Sequence, residues 1–375
     1  MMPYFLIYAL VAAGIFICFL DDTPVRRAAQ SFYFVVVLIS LAGFAGMRSP
    51  AVDRDFQEYD LWFNAIKSGA APPLAWMRDP AFAIISYIFS RLALPYSAVA
   101  FFYAALGLIA TWKFARAAFV PRWATLFFYL LFCQYYIVLE MTQIRAAVAI
   151  PLMAGSLYLA CEGRRRHAIG LYLIALVFHF SVIVALPLLV MILVGVRFRS
   201  RAWLFSLVVA GAVAAVAMTR IIDFISGLYR LSEFLNGGAE ENDLRVISWY
   251  ALAHLFTLAV AALILWKNLN LHQRMATLAC GIGLTLFLLF GWNTGLATRF
   301  LYLFDLYWLL IMMMVLEKLK GEARILYVTL LIFVGFGLYC KSLQYVDPYS
   351  TFKGWDAILH IPYHRFPVHA MRLPL

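Results

Sequence analysis

Long apolar runs, separated by short polar loops, fill most of this 375-residue chain. A membrane span needs about 20 helical residues to cross the hydrocarbon layer, and runs of that length recur throughout the sequence. The runs are continuous rather than alternating, which excludes the strands of a membrane β-barrel. The pattern predicts an all-α, polytopic integral membrane protein with about ten to twelve membrane helices, including re-entrant or interfacial segments.

The predicted full-length spans are residues 3–20, 31–47, 96–112, 123–139, 143–161, 202–218, 248–266, 275–292, 299–316 and 324–341. The segment 81–94 is apolar but short, which favours a re-entrant or interfacial helix. His179 and Ser181 interrupt the run from Ala168 to Val196 near its middle. Read as one span, that run would place every later basic loop outside the cell. We therefore interpret it as two short segments that meet near His179.

Basic residues fix the predicted topology. They fall in short loops between the apolar runs, a positive-inside pattern that explains the net charge of +11 without nucleic acid. With these loops in the cytoplasm, both termini and two larger loops, 48–80 and 219–247, lie outside. We predict one polytopic domain over 1–343 in the cytoplasmic (inner) membrane, followed by an outer tail, 344–375.

Composition agrees with a membrane protein, because 65% of the residues are hydrophobic and only 13% are charged. The five cysteines stand singly, without metal-like spacing or an obvious disulfide pair. The sequence also lacks a Gly-rich phosphate loop and a nucleophile elbow. We expect no cofactor and no metal.

The first outer loop contains a predicted amphipathic helix. Its apolar face carries Phe56, Tyr59, Phe63 and Ile66, and its polar face carries Gln57, Asp60, Asn64 and Lys67. Asp55 and Glu58 are neighbours on such a helix, flanked by Tyr59 and Trp62. Carboxylates beside aromatic rings suit sugar binding, but the same residues also fit a solvated helix anchored by an aromatic belt.

A second polar cluster, Glu140, Gln143 and Arg145, separates two strongly apolar runs. Ionisable groups at this depth are costly and usually face a cavity or a partner. Arginine suits phosphate because its planar fork donates parallel hydrogen bonds and stays charged. The alternative is an arginine that extends to the lipid headgroups.

Two further candidates lie later in the chain. His179, between Phe178 and Phe180, is either a core histidine bonded to a freed carbonyl or a proton shuttle or phosphate donor. Arg299 heads a late span, and Tyr302 follows it by three residues.

The order of these motifs resembles that of the EpsG family, the Wzy-like polymerases of bacterial exopolysaccharide and O-antigen. The matching segments are Arg48 with Asp55-Phe56-Gln57-Glu58-Tyr59, Asp79-Pro80-Ala81-Phe82, Gln143-Ile144-Arg145 with Ala149, Phe178-His179-Phe180-Ser181, and Arg299 to Tyr302. The chain departs from the family pattern at Asp53-Arg54, where the family has Gly-Thr, and at Ala146, where it has glutamine.

The resemblance implies that growing glycan is transferred from undecaprenyl pyrophosphate onto a new lipid-linked repeat unit at the outer leaflet. We expect an inverting, metal-independent glycosyltransferase, with membrane lipid, a chain-length regulator and a flippase as possible partners. The expected catalytic residues are Arg145, Asp55, Glu58, His179 and Arg299. The expected substrate-binding residues are Tyr59, Trp62, Glu140, Gln143, Arg48 and Tyr302.

Two other functions fit the sequence. Another lipid-linked glycosyltransferase, such as an O-antigen ligase, needs the same outer-face arginines, and only its product distinguishes it. A flippase or exporter of lipid-linked glycans would not be an enzyme. A transporter should place charges along a path through several spans, whereas here they cluster on one predicted face.

Overall fold

The computed structural model describes residues 2–20, 23–48, 55–71, 80–118, 123–196, 249–290 and 294–343, with single positions at 198, 200, 202 and 206. Every regular element in these ranges is helical, which confirms an all-α protein. The predicted outer loop 219–247, the tail 344–375 and most of the predicted span 202–218 lie outside the described residues.

The α-helices are α1 Met2–Ala13, α2 Pro24–Gly46, α3 Phe56–Ser68, α4 Pro80–Arg91, α5 Tyr96–Ala118, α6 Ala124–Tyr135, α7 Ile144–Cys161, α8 Arg165–Phe178, α9 Leu186–Leu193, α10 Trp249–Val260, α11 Leu271–Leu289, α12 Thr294–Lys318 and α13 Gly321–Ser342. Short 3₁₀ segments cover Gly14–Phe19, Phe180–Ala185 and Trp266–Asn268, and π-helical turns cover Tyr136–Thr142 and Ala261–Leu265.

Six helices among the described residues are long and apolar enough to cross a membrane. They are Pro24–Gly46, Tyr96–Ala118, Ala124–Thr142, Ile144–Cys161, Ala297–Lys318 and Gly321–Ser342. Shorter apolar helices cover Pro3–Phe19, Phe180–Leu193 and Ala251–Leu263. The protein is therefore a multi-pass helical membrane protein. These six helices do not reach the predicted ten to twelve membrane segments, and that count stays a prediction.

The apolar run at 168–196 is broken where the sequence predicted. Helix α8 ends at Phe178, a 3₁₀ segment starts at Phe180, and His179 belongs to neither. The hydroxyl of Tyr172 donates a hydrogen bond of 2.7 Å to the carbonyl of Val182. That bond satisfies a backbone acceptor that an uninterrupted helix would have used, so the break is stabilised from within.

Helix α3 buries the apolar face that its sequence pattern indicated. Phe56, Tyr59, Phe63 and Ile66 are all buried, and α3 packs on α4 and α5. Gly69 ends the helix with φ 77°, a left-handed conformation that glycine adopts without strain. The predicted amphipathic helix is confirmed.

The chain divides into two compact units, each described here by itself. The first comprises Met1–Gly155, Gly170–Ile183 and Gly321–Leu375, and the second comprises Ser156–Ile169 and Val184–Lys320. The described part of the predicted outer loop, residues 55–71, belongs to the first unit, as does the polar cluster of Glu140, Gln143 and Arg145. The prediction of a single domain over 1–343 stays a prediction.

Candidate functional site

Three aromatic residues form a shelf on one face of α3. Phe56, Tyr59 and Trp62 follow one another at intervals of three residues, so they occupy successive turns of the same face. Phe82 of α4 packs against Trp62 and Tyr59, with ring centroids 4.6 and 5.3 Å apart. Tyr96 of α5 meets Phe56 edge-on at 5.0 Å. Helices α4 and α5 therefore pack against the aromatic shelf and support it.

Arg145 rests on the aromatic shelf. Its Nε–H donates a 3.0 Å hydrogen bond to the hydroxyl of Tyr59. Its guanidinium carbon lies 5.1 Å from the ring centroid of Tyr59 and 5.5 Å from that of Trp62, both within cation–π range. Arg145 is half-buried and is the second residue of α7. A charged group that is held in one geometry yet partly exposed can meet an anionic ligand without rearranging.

Arg48 is a second guanidinium on the same shelf. Its guanidinium carbon lies 5.4 Å from the ring centroid of Phe56, and one terminal N–H donates to the carbonyl of Ala45 at 2.6 Å. The side chain is fully buried, two residues beyond the end of α2. Because Phe56 and Tyr59 are one turn apart, the structure brings Arg48 and Arg145 to adjacent rings. The sequence suggested Arg48 only through the family resemblance.

The predicted carboxylates lie on the same helix but are less buried. Asp55 precedes the first residue of α3 and is half-buried, while Glu58 is exposed. Asp60, half-buried on the polar face, accepts a hydrogen bond from Asn64. Burial raises the pKa of Asp60 above its ordinary value, and that hydrogen bond partly offsets the rise.

Glu140 and Gln143 are not presented in the way that the sequence suggested. Glu140 is only 3% exposed and points into the protein from the π-helical turn. Gln143 is half-buried between that turn and α7. Its backbone carbonyl accepts a hydrogen bond of 3.1 Å from the backbone N–H of Ala147. Their assignment as substrate contacts stays a prediction, which the burial of Glu140 does not support.

Phe178, the neighbour of His179, packs against the hydrophobic core around the aromatic shelf. Phe178 meets Tyr103 edge-on, with ring centroids 5.6 Å apart. Tyr103 belongs to the hydrophobic cluster that also contains Tyr59 and Ile144, the first residue of α7. The helix break at His179 is therefore anchored to the same core as the aromatic shelf, and His179 itself is half-buried.

The second unit contains the two remaining predicted residues. Arg299 is exposed and Tyr302 is half-buried, both in the first third of α12. By contrast, the first unit contains all four residues of the shelf contacts, which are Arg48, Arg145, Tyr59 and Trp62.

The second unit contains a buried polar network that was not among the predicted sites. Nε2 of His254 lies 2.6 Å from Oδ1 of Asp305, and both side chains are fully buried. The imidazole stacks on Trp308 at 4.3 Å, and the indole N–H donates to Thr257 at 3.0 Å. A histidine and an aspartate within two predicted spans are rare enough to have been a signal.

The EpsG family model matches residues 31–353, which include every predicted site residue. The chain belongs to the EpsG family. The general role of this family is that of a Wzy-like polymerase. Neither the comparison with curated proteins nor that with solved structures found a match.

Within the described ranges, no three His, Cys, Asp or Glu side chains of this EpsG-family protein converge as metal ligands would. Metal independence of the reaction stays a prediction.

Proposed function

We propose that this EpsG-family protein is a Wzy-like polysaccharide polymerase. It joins oligosaccharide repeat units carried on undecaprenyl pyrophosphate, at the outer face of the cytoplasmic membrane. The observation that supports this best is Arg145, fixed on the aromatic shelf by Tyr59 with Arg48 on the adjacent ring. The outer location follows from the positive-inside pattern, and the proposed ten to twelve membrane segments follow from the lengths of the apolar runs.

The proposed reaction transfers the growing glycan from its lipid carrier to a sugar hydroxyl of the next unit. The hydroxyl oxygen attacks the anomeric carbon, the bond to the pyrophosphate oxygen breaks, and the lipid pyrophosphate leaves with the electron pair. Negative charge develops on that oxygen. Cations that are already in place stabilise this charge without paying for reorganisation, and removing one such donor typically costs about 10²–10³ in rate. Arg145 contacts the leaving group, and Arg48 adds positive potential from beneath.

The acceptor hydroxyl loses its proton to a carboxylate in this mechanism. Asp55 and Glu58 are the candidates, because they lie at the start of α3 and in its first turn, and neither is sealed from solvent. Direct displacement would invert the anomeric carbon. His179 and Arg299 remain proposed as additional phosphate or proton contacts, and Tyr302 and Gln143 as substrate contacts. A flippase and a chain-length regulator are the proposed protein partners.

The test is an electrophoretic profile of surface polysaccharide from a deletion strain complemented with variants at equal membrane levels. We expect the native protein to restore a ladder and Arg145→Ala to leave single repeats. Arg91→Ala is the matched control, because Arg91 also lies over an aromatic ring, 5.0 Å from that of Tyr87, but is exposed and away from the shelf. It should restore the full ladder.

The same profile distinguishes the two rival functions. Loss of all repeats from the surface in the deletion strain would indicate a flippase or exporter. Long polymer that is made but not joined to its final acceptor would indicate an O-antigen ligase. An unchanged ladder in the deletion strain would contradict the polymerase.

A further inference from the structure

A π-helical turn leads directly into the helix that carries Arg145. It covers Tyr136–Thr142, one residue before α7 begins. Turns of this kind are uncommon and concentrate at functional sites, since their geometry is less favourable than that of an α-helix. The hydroxyl of Tyr136 donates to the carbonyl of Leu41 on α2 at 2.6 Å. The turn is therefore tied to a neighbouring helix at its start.

Glu140, the fifth residue of this turn, borders Gly107 of α5. A methyl group placed on Gly107 of α5 would come 2.7 and 2.8 Å from the two carboxyl oxygens of Glu140, and 3.0 Å from the carbonyl oxygen of Ala147. Three elements thus meet at one point: α5, the π-helical turn and the first turn of α7. Only glycine at position 107 leaves room for this meeting.

The meeting point lies next to the catalytic arginine. Ala147 follows Arg145 by two residues, so the carbonyl that borders Gly107 beside the Glu140 carboxyl belongs to the same helical turn as Arg145. The hydrogen bond from Arg145 to Tyr59 is 3.0 Å long. A shift of α7 by about 1 Å would break it, and misplacements of that size can cost roughly 10²-fold in rate.

We propose that Glu140 is a positioning residue: seated over Gly107, it fixes the start of α7 and thereby the place of the Arg145 guanidinium. This inference rests on the proposed function. It reassigns Glu140, whose sequence context suggested a substrate contact. Glu140 acts through its shape, because it is sealed from solvent and its Oε2 atom has no hydrogen-bond partner among the described residues.

A role of Glu140 through its shape and a role through its charge predict opposite results for Glu140→Gln. Glutamine has the shape of glutamate but cannot carry its charge. Glu140→Gln should therefore keep activity within about threefold of the native protein, since the packing is unchanged. Glu140→Ala and Gly107→Ala should each lower kcat by about 10–100-fold, because either change frees or displaces the start of α7.

The experiment measures kcat and KM for lipid-linked repeat units with purified native protein, these variants and the double variant Gly107→Ala/Glu140→Ala. Thermal unfolding is recorded for each, so that loss of folding is seen separately. The double variant should recover part of the Gly107→Ala loss, because the added methyl no longer meets a carboxyl, and neighbouring residues couple in this way. Glu140→Gln and the double variant keep the test valid if Gly107→Ala fails to fold.

Two results would overturn the proposal. If Glu140→Gln is as inactive as Glu140→Ala at native stability, the carboxyl is used chemically. If the two alanine changes are additive, Glu140 and Gly107 do not act through a shared contact. A native protein without polymerase activity would instead reject the proposed function. Positioning is then read from the fluorescence of Trp62, which lies under the Arg145 guanidinium and is isolated from the other tryptophans by subtracting the signal of the matching Trp62→Phe protein: Gly107→Ala should alter it and Glu140→Gln should not.

Discussion

Ionisable side chains occur in two contrasting settings in this protein. In the first unit, Arg145 lies half-exposed on aromatic rings, with Arg48 buried beside it. In the second unit, His254 and Asp305 pair with each other and are fully sealed. The side chains of the sealed pair bond to each other, whereas the shelf places two guanidinium groups together and leaves that of Arg145 partly exposed. The same rarity in sequence therefore favours a structural role for the sealed pair, whereas the proposed function gives the shelf its role in substrate chemistry.

The largest expected effect on stability concerns the sealed pair. Asp305→Ala leaves His254 buried without its acceptor, and breaking a buried pair in this way typically costs about 3–5 kcal/mol. We expect a clear fall in the unfolding temperature of purified protein in detergent. The double variant His254→Leu/Asp305→Leu should lose much less than two single losses combined, and additive losses would contradict a paired structural role.

The next effect concerns Arg48. Arg48→Met keeps the apolar stem but removes the buried cation beside Phe56. We expect polymerisation to fall about 10–100-fold, because one preorganised charge near the leaving group is lost. Arg48→Lys should be intermediate, since lysine keeps the charge but not the planar fork. Rates of ladder formation at matched protein levels measure this; a fully active Arg48→Met variant would restrict the chemistry to Arg145.

A smaller effect is expected at Tyr59. Tyr59→Phe keeps the ring under the guanidinium but removes the hydroxyl that accepts the Nε–H of Arg145. Without that hydrogen bond the guanidinium is less firmly placed, and misplacement of a reacting group can cost up to about 10²-fold in rate, so kcat should fall roughly tenfold. Unfolding temperature should change little. Trp62→Phe is the control, because it keeps an aromatic face and touches no hydrogen bond to Arg145; equal losses in both variants would argue against the hydroxyl.

The smallest effect concerns pH and Asp60. Burial raises the pKa of Asp60 in the folded protein, so the folded state binds this proton more tightly than the unfolded state. The stabilisation from the protonated form is present at low pH and is lost as pH rises through the raised pKa. Asp60→Asn should therefore have the same unfolding temperature as the native protein at acidic pH. At neutral pH its unfolding temperature should be slightly higher than that of the native protein. Parallel curves at every pH would contradict this.

The sequence predicted local features better than long-range ones. The face of α3 and the break at His179 follow from spacing and from interruptions within one segment, and the structure confirms both. The meeting of Arg48 with the shelf depends on how separate helices pack, which spacing does not encode. The same holds for Asp305, whose partner lies in another helix. Glu140 is buried beside Gly107 of α5, and such a contact between separate helices is not visible in the sequence. Its closeness to Arg145 along the chain therefore suggested a different role.

Reconstituted polymerisation tests the central claim most directly. Purified native protein, Arg145→Ala and Arg91→Ala are each incubated with undecaprenyl-pyrophosphate-linked repeat units, and the chain length of the products is resolved. We expect native protein and Arg91→Ala to form ladders at similar rates, and Arg145→Ala to be slower by at least about 100-fold at an unchanged unfolding temperature. Equal ladders from all three proteins, or no polymer from the native protein, would contradict the account.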